Sequence, residues 1–305
     1  QIEVLAGKAH TPKADVQCEL LPLFMDGPLF PSTDNPILRQ LVEDKVIRGK
    51  SEEVYFLPTP GGTYKGLLTI GLGKRDQFNA EVFRRSAGKA AGLLEKHRVA
   101  EAVLDISKSE ALPVEALIEG LMLAQYRFDK YKDKKADDEE APVRLEKLTV
   151  LMRSDDKLEA TQQRYERAVL WTQNTNWARD LGNLAPNELT PAQLGDMAKA
   201  MAREMGCDCE VLDEARMEKL GMNALLGVAK GSEQRAVLII LRYRHPEATR
   251  TLAIVGKGVT FDTGGISIKP SQSMHEMKYD MCGAAAALGA MRTICALKRP
   301  TRETA

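Results

Sequence analysis

Lys257, Asp262, Lys269 and Asp280 fall within one stretch, TLAIVGKGVTFDTGGISIKPSQSMHEMKYDMCGAAAALGA (residues 251–290). It reads as a strand, a glycine-rich turn and an alanine-rich helix. Carboxylates are hard ligands for Zn²⁺, Mn²⁺ or Mg²⁺, and a lysine beside a metal can lose its proton and donate an amine lone pair. The intervening glycines allow the sharp turns that would bring the four together. One chemistry for them is therefore a divalent-metal centre. The other is ordinary surface charge on a strand-end loop, with Asp280 capping the helix that follows. Spacing alone leaves both readings open.

Other chemistries fail on the residues. Gly256, Lys257 and Gly258 follow a strand-like run, as phosphate-binding loops do. A dinucleotide fingerprint would need glycine where Phe261 stands, and a P-loop would need glycine at Thr251 and a hydroxyl residue at Gly258. There is no G-x-S-x-G elbow, and His275-Glu276 lacks a partner histidine at Tyr279. A lone His275 reads as an exposed or satisfied residue, and Cys282, at the start of the helix, as a small packing residue. Cys207-Asp208-Cys209 is a single C-x-C with no second pair, which falls short of a thiolate metal site. Met274, Met277, Met281 and Met291 have roughly helical spacing. They line an apolar pocket for a substrate side chain or pack in the core, and both readings stand.

These residues need elements to position them. The chain of 305 residues, 44% hydrophobic, is long enough for two domains, and Lys plus Arg and Asp plus Glu both total 43. No overall basic field draws nucleic acid or a membrane surface. No apolar run reads as a bilayer span, no leader pattern is evident, and five scattered cysteines do not form a disulfide framework, so the expectation is a soluble cytoplasmic protein. VYFLP, LLTIGLG, AVLDIS and LEKLTVLM read as strands, and FNAEVFRRSAGKAAGLLEKH and PVEALIEGLMLAQYRFDKY as helices, with YKDKKADDEEAP a solvated loop. One long helix over about 157–184 joins two domains. A second helix starts at Thr190 with Pro191 in its first turn. CEVLDEARMEKLGMNALLGVAKGS supplies a strand and a short helix, AVLIILRYR a buried strand, and TLAIVGKG the strand beside it. The fold class is α/β throughout, with an N-terminal domain over 1–153, a linking helix over 154–185 and part of a second α/β domain over 186–305.

VGKGVTFDTGGISIKPSQSMHEMKYDMCGAAAALGAM resembles the signature region of the leucyl (cytosol) aminopeptidase family, the M17 peptidases. YRFDKYK, ARDLGNLAPNELTPAQLGDMA and LGMNALLGVAKGS resemble that family in order and spacing, so the likeness is firm from Tyr126 to Leu297. The resemblance implies an N-terminal α/β domain, a linking helix, a catalytic α/β domain with two divalent metal ions, and a hexamer of two trimers. Lys257 and Asp280 resemble ligands of the tightly held metal, Asp262 the carboxylate shared by both, and Lys269 the lysine that polarises the substrate carbonyl. The implied metals are manganese or zinc, with magnesium as an alternative. Bicarbonate held by an arginine serves as general base, and the substrates are leucine-type peptides with a free N-terminus.

The family's later N-T-D-A-E-G-R motif, which supplies further ligands and the bicarbonate-binding arginine, does not occur in these residues. The chain therefore reads as truncated within the catalytic domain, and alone it is expected to be inactive and prone to associate, with Leu252 to Val255 and one side of the 281–297 helix exposed. The alternative function is a non-catalytic binding or assembly module derived from an aminopeptidase. Some bacterial relatives double as DNA-binding proteins, but the zero net charge gives that no support here.

Overall fold

The computed structural model describes residues 2–8, 16–27, 35–107, 112–133, 142–152, 158–298 and 302–304. The chain divides into two compact units, Gln1–Gln173 and Asn174–Ala305. Most of the solvated loop expected at 131–142 lies outside the described residues.

The first unit contains β1 (Glu3–Lys8), β2 (Cys18–Leu23), α1 (Pro36–Glu43), β3 (Val54–Pro58), β4 (Gly66–Gly71), α2 (Ala80–Lys96), β5 (Glu101–Asp105), α3 (Val114–Ala124) and β6 (Lys147–Met152). Its six strands are ordered β1-β6-β5-β2-β4-β3, parallel except for β3. The central strands β2 and β4 are buried along their whole length, as their near-continuous apolar sequences require when both faces are covered. On one face Leu20, Leu68, Leu104 and Leu148 pack with Phe83, Leu94, Leu117 and Ile118. On the other, Leu38 of α1 closes over Leu21, Leu23 and Leu67. Three elements here, β1, β2 and α1, escaped the sequence reading. In β2 the cause is Pro22, a residue that argues against a central strand. The second helix is shorter than expected. It stops at Ala124 because the Arg127 guanidinium turns back to donate to the carbonyls of Ala124 and Tyr126, at 3.1 and 2.9 Å.

The long helix exists as α4 (Leu158–Asn183), with Tyr165 and Ala168 buried in the first core. In the second unit α5 (Pro191–Met205) opens on a capping box between Thr190 and Gln193, with Pro191 in its first turn as expected, and ends on left-handed Gly206. Then come β7 (Asp208–Leu212), α6 (Glu214–Lys219), α7 (Asn223–Ala229), β8 (Leu238–Arg244), β9 (Thr251–Ala253), a 3-10 segment Met274–Met281, α8 (Cys282–Leu297) and β10 (Arg302–Thr304). The expected single short helix after β7 is thus two.

Two strand expectations are corrected. β8 is half-buried along most of its length, with Leu241 fully enclosed. β9 is three residues long and does not lie beside β8: the order is β7-β8-β10-β9, with β10 antiparallel to β8 and parallel to β9. The chain leaves strand geometry after Ala253 because the glycines that follow seat it against α8. That helix lies on the end of α4, where a Cβ on Gly289 would stand 3.2 Å from the Asn174 carbonyl and the Asn174 amide donates to the Thr293 hydroxyl at 3.0 Å. The stretch Met274–Leu297 is long and apolar enough by length and composition to cross a membrane, contrary to the sequence expectation. Its buried Met281, Leu288, Met291 and Cys295 pack as a core helix does.

Candidate active site

Backbone contact places Lys257. A Cβ on Gly256 would lie 2.3 Å from the Gly283 carbonyl oxygen, and one on Gly283 would lie 2.8 Å from the Lys257 nitrogen, so both positions admit glycine alone at this separation. The Ala284 N–H donates to the Lys257 carbonyl at 2.8 Å, which satisfies one of the donors left open at the start of α8. From this seat the Lys257 Nζ lies 3.1 Å from Oδ2 of Asp280, which the 3-10 segment carries.

A second pair forms across the turn. Gly264, at φ +89, could not accept a Cβ, which would fall 2.3 Å from the Ser267 carbonyl oxygen. The reversal it allows returns the Lys269 N–H to the Thr263 carbonyl at 2.8 Å and the Lys269 Nζ to Asp262 Oδ2 at 2.8 Å. The other Asp262 oxygen accepts the Gly264 N–H at 2.9 Å. The hydrogen bond from Lys269, then that from Gly264, hold the Asp262 carboxyl below its ordinary pKa, and the charge of Lys257 adds to the effect. Of the four residues read from the sequence, the structure forms two separate pairs, Lys257 with Asp280 and Lys269 with Asp262.

The surface-charge reading loses its capping argument here. Asp280 does not cap α8: Met281 occupies that position without a side-chain bond. Asp280 Oδ2 is instead a buried oxygen with no hydrogen bond, despite its short distance to Lys257. Its partner is the Lys257 side chain, and a carboxylate oxygen is a hard ligand of the kind divalent cations take. The donor set fits part of such a site, namely two carboxylates and one amine. Among the described residues no group of three or more His, Cys, Asp or Glu is placed to hold a metal.

Other residues read from the sequence take definite places. Met281 and Met291 are fully buried core residues. Met277 has a polar role, its sulfur accepting from Lys269 Nζ at 3.0 Å. The three-residue repeat of the 3-10 segment sets Met277 and Asp280 on one face. His275 is exposed, and Cys207 and Cys209 are free thiols. Asn183, at the end of α4, was missed. Its carbonyl faces Lys278 Nζ at 3.5 Å and its side-chain oxygen faces the Tyr279 hydroxyl at 3.4 Å, on either side of the segment bearing Asp280. A cavity of about 620 Å³ is lined by Leu194, Ile240, Ile254, Phe261 and Leu288, and of the four charged residues it touches Lys257.

Comparison with known proteins bears on this cluster. Residues 29–135 match the cytosol aminopeptidase family's N-terminal domain and residues 176–305 its catalytic domain. A probable cytosol aminopeptidase of Syntrophotalea carbinolica is 39% identical over 98% of this chain and 62% of its own length. One from Solibacter usitatus is 42% identical over 83% and 52%. The cytosol aminopeptidase of Pseudomonas aeruginosa is 39% identical over 77% and 48%. The chain thus spans about half to three-fifths of these relatives. Among solved structures, the bottromycin maturation enzyme BotP in complex with Mn superposes with a TM-score of 0.76 at 27% identity, covering 96% of this chain and 58% of that one. A mutant tomato leucine aminopeptidase gives a TM-score of 0.81 at 22% identity, covering 100% and 61%, and supports the fold. With both family domains matched in order, and relatives this similar along most of its length, the chain belongs to the cytosol aminopeptidase family.

Proposed function

We propose that the chain carries one part of a metal-dependent aminopeptidase centre that removes leucine-type residues from peptides with a free N-terminus. The observation that carries this reading is the pair of lysine–carboxylate contacts formed within one glycine-rich segment, Lys257 with Asp280 at 3.1 Å and Lys269 with Asp262 at 2.8 Å. The manganese present in BotP supports it. Lys257, Asp262 and Asp280 would hold two divalent ions, manganese or zinc with magnesium as an alternative, which would supply Lewis acidity to a water and to the substrate amine. Lys269 keeps a positive charge beside the reacting carbonyl and stabilises the developing oxyanion. Bicarbonate would serve as general base in the complete site. The assembled enzyme is a cytoplasmic hexamer.

The polypeptide of these 305 residues offers three such ligands and no N-T-D-A-E-G-R motif, so it is expected to bind metal weakly and to lack turnover. The test is manganese- or zinc-dependent release of leucine from a leucyl anilide, beside Asp262→Ala. No release by either protein is the expected result. Release that Asp262→Ala abolishes would keep the site and show that the remaining ligands come from another segment or chain, whereas equal release by both would overturn the site assignment.

A further inference from the structure

We propose that the outer edge of β1 is an interaction surface for a second copy of this chain, held closed by the side chain of Gln162. The inference is independent of the metal centre. β1 stands at the end of the six-stranded sheet, with β6 on one side and no strand on the other among the described residues. The Glu3 N–H donates to the Glu146 carbonyl at 2.6 Å. By alternation Glu3, Leu5 and Gly7 turn their backbone groups towards β6, and Val4, Ala6 and Lys8 turn theirs outward. A row of outward N–H and C=O groups is a template for another strand, and β1 carries charge only at its two ends, Glu3 and Lys8. Gln162 of α4 occupies the middle of that row. Its Oε1 accepts from the Ala6 N–H at 2.8 Å, and its Nε2 donates to the Val4 carbonyl at 3.0 Å. One residue of a further parallel strand would make the same two bonds, so the side-chain amide stands in for a peptide group. The second hydrogen on Nε2 goes to Glu166 Oε1, one turn along α4, at 3.1 Å, which sets the orientation of the amide.

The groups under Gln162 identify the occupant. They are one donor and one acceptor, two residues apart on a single strand. When two copies of β1 pair antiparallel with Leu5 opposite Leu5, Val4 of each copy faces Ala6 of the other, and each Ala6 N–H donates to the Val4 carbonyl across the pair. This register alone joins the two groups that Gln162 holds, and it obeys the two-fold symmetry of a closed dimer. Glu3 then stands opposite Gly7 and Lys8 opposite Ile2, so no like charges meet. Leu5, half-buried in its own sheet, gains an apolar neighbour on the same face. Release of Gln162 thus exchanges two side-chain bonds for a sheet continuous across both copies.

The test uses the 305-residue chain carrying Leu252→Lys, which keeps the exposed β9 edge out of the measurement. With Gln162 present, the Ala6 amide is expected to exchange slowly with deuterium at every protein concentration, and dilute protein to sediment as a monomer. Gln162→Ala is expected to double the sedimenting mass under the same conditions, with an Ala6 amide that loses its protection on dilution. Ala6→Pro removes the outward donor without touching the β6 ladder, and added to Gln162→Ala it should restore the monomer. Leu5→Cys decides the matter with Gln162 in place, even where Gln162→Ala folds poorly. In the proposed register the two substituted positions lie about 4.5 Å apart between Cα atoms, close enough for a disulfide. Mild oxidation of concentrated protein is expected to link two copies through position 5, as peptide mapping would show. A monomeric Gln162→Ala protein, a dimer that Ala6→Pro leaves intact, or Leu5→Cys chains that do not link through that position would overturn the proposal.

Discussion

Gly264 determines whether Lys269 can reach Asp262. Its φ of +89 and the 2.3 Å approach that a Cβ would make to the Ser267 carbonyl leave no relaxed place for a side chain. Gly264→Ala is expected to cost about 1–3 kcal/mol in backbone strain and to open the turn. The Asp262 carboxyl then reports the change independently of stability. Its pKa is held below 3.8 first by the Lys269 hydrogen bond and next by the Gly264 N–H. A group of this kind adds stability above its unfolded pKa and loses it as the pH falls through the folded value. Opening the turn removes both donors, so the Asp262 pKa should move up towards the ordinary carboxylate value in an NMR titration of the variant. An unmoved Asp262 in a folded Gly264→Ala protein would show that the turn does not position the pair. The four charged residues were legible because acids, amines and glycines crowd one short stretch. The contact of Met277 with Lys269 was not, since an apolar residue at helical spacing carries no mark of a polar partner.

Elements were legible where one local signal dominates. The start of α5 was readable from Thr190 and Pro191, because a cap and a helix-compatible proline act within one turn. The place of β9 was not, because its neighbour β10 comes from residues far along the chain. β2 presents a different conflict, an acid inside a central strand. Glu19 is enclosed, and burial, with Asp105 adding to it, raises its carboxyl from 4.5 to about 7. The folded state therefore keeps a proton that the unfolded chain releases as the pH rises from about 4.5 to about 7, and stability falls across that window. Below it both states are protonated and nothing is lost, whereas above it the loss is complete. Glu19→Gln keeps the shape without the charge. Its melting temperature is expected to match the parent in acid and to exceed it increasingly from pH 5 to pH 8. Parallel melting curves across that range would mean that Glu19 ionises freely in the folded sheet.

At the scale of the whole molecule, the first unit encloses its sheet while the second leaves apolar surface open. β9 pairs with β10 and forms an edge of its sheet among the described residues, with Leu252 57% and Val255 94% exposed. Ile266 and Ile268, in the turn that carries the metal-ligand candidates, are exposed as well. An edge strand with apolar side chains and unpaired backbone groups is a template for another chain, and native sheets blunt such edges with charge. The relatives extend well beyond the part this chain matches, so the same surface has additional polypeptide available in them. Without that polypeptide, the polypeptide of these 305 residues is expected to self-associate through β9 and to bind a hydrophobic dye. Leu252→Lys places a charge on the edge without touching the four site residues. It should lower both the dye signal and the apparent mass in sedimentation at a fixed concentration, with the melting temperature of the first unit unchanged. If Leu252→Lys associates as the parent does, the contact lies elsewhere, and the exposed turn at Ile266 and Ile268 becomes the surface to change next.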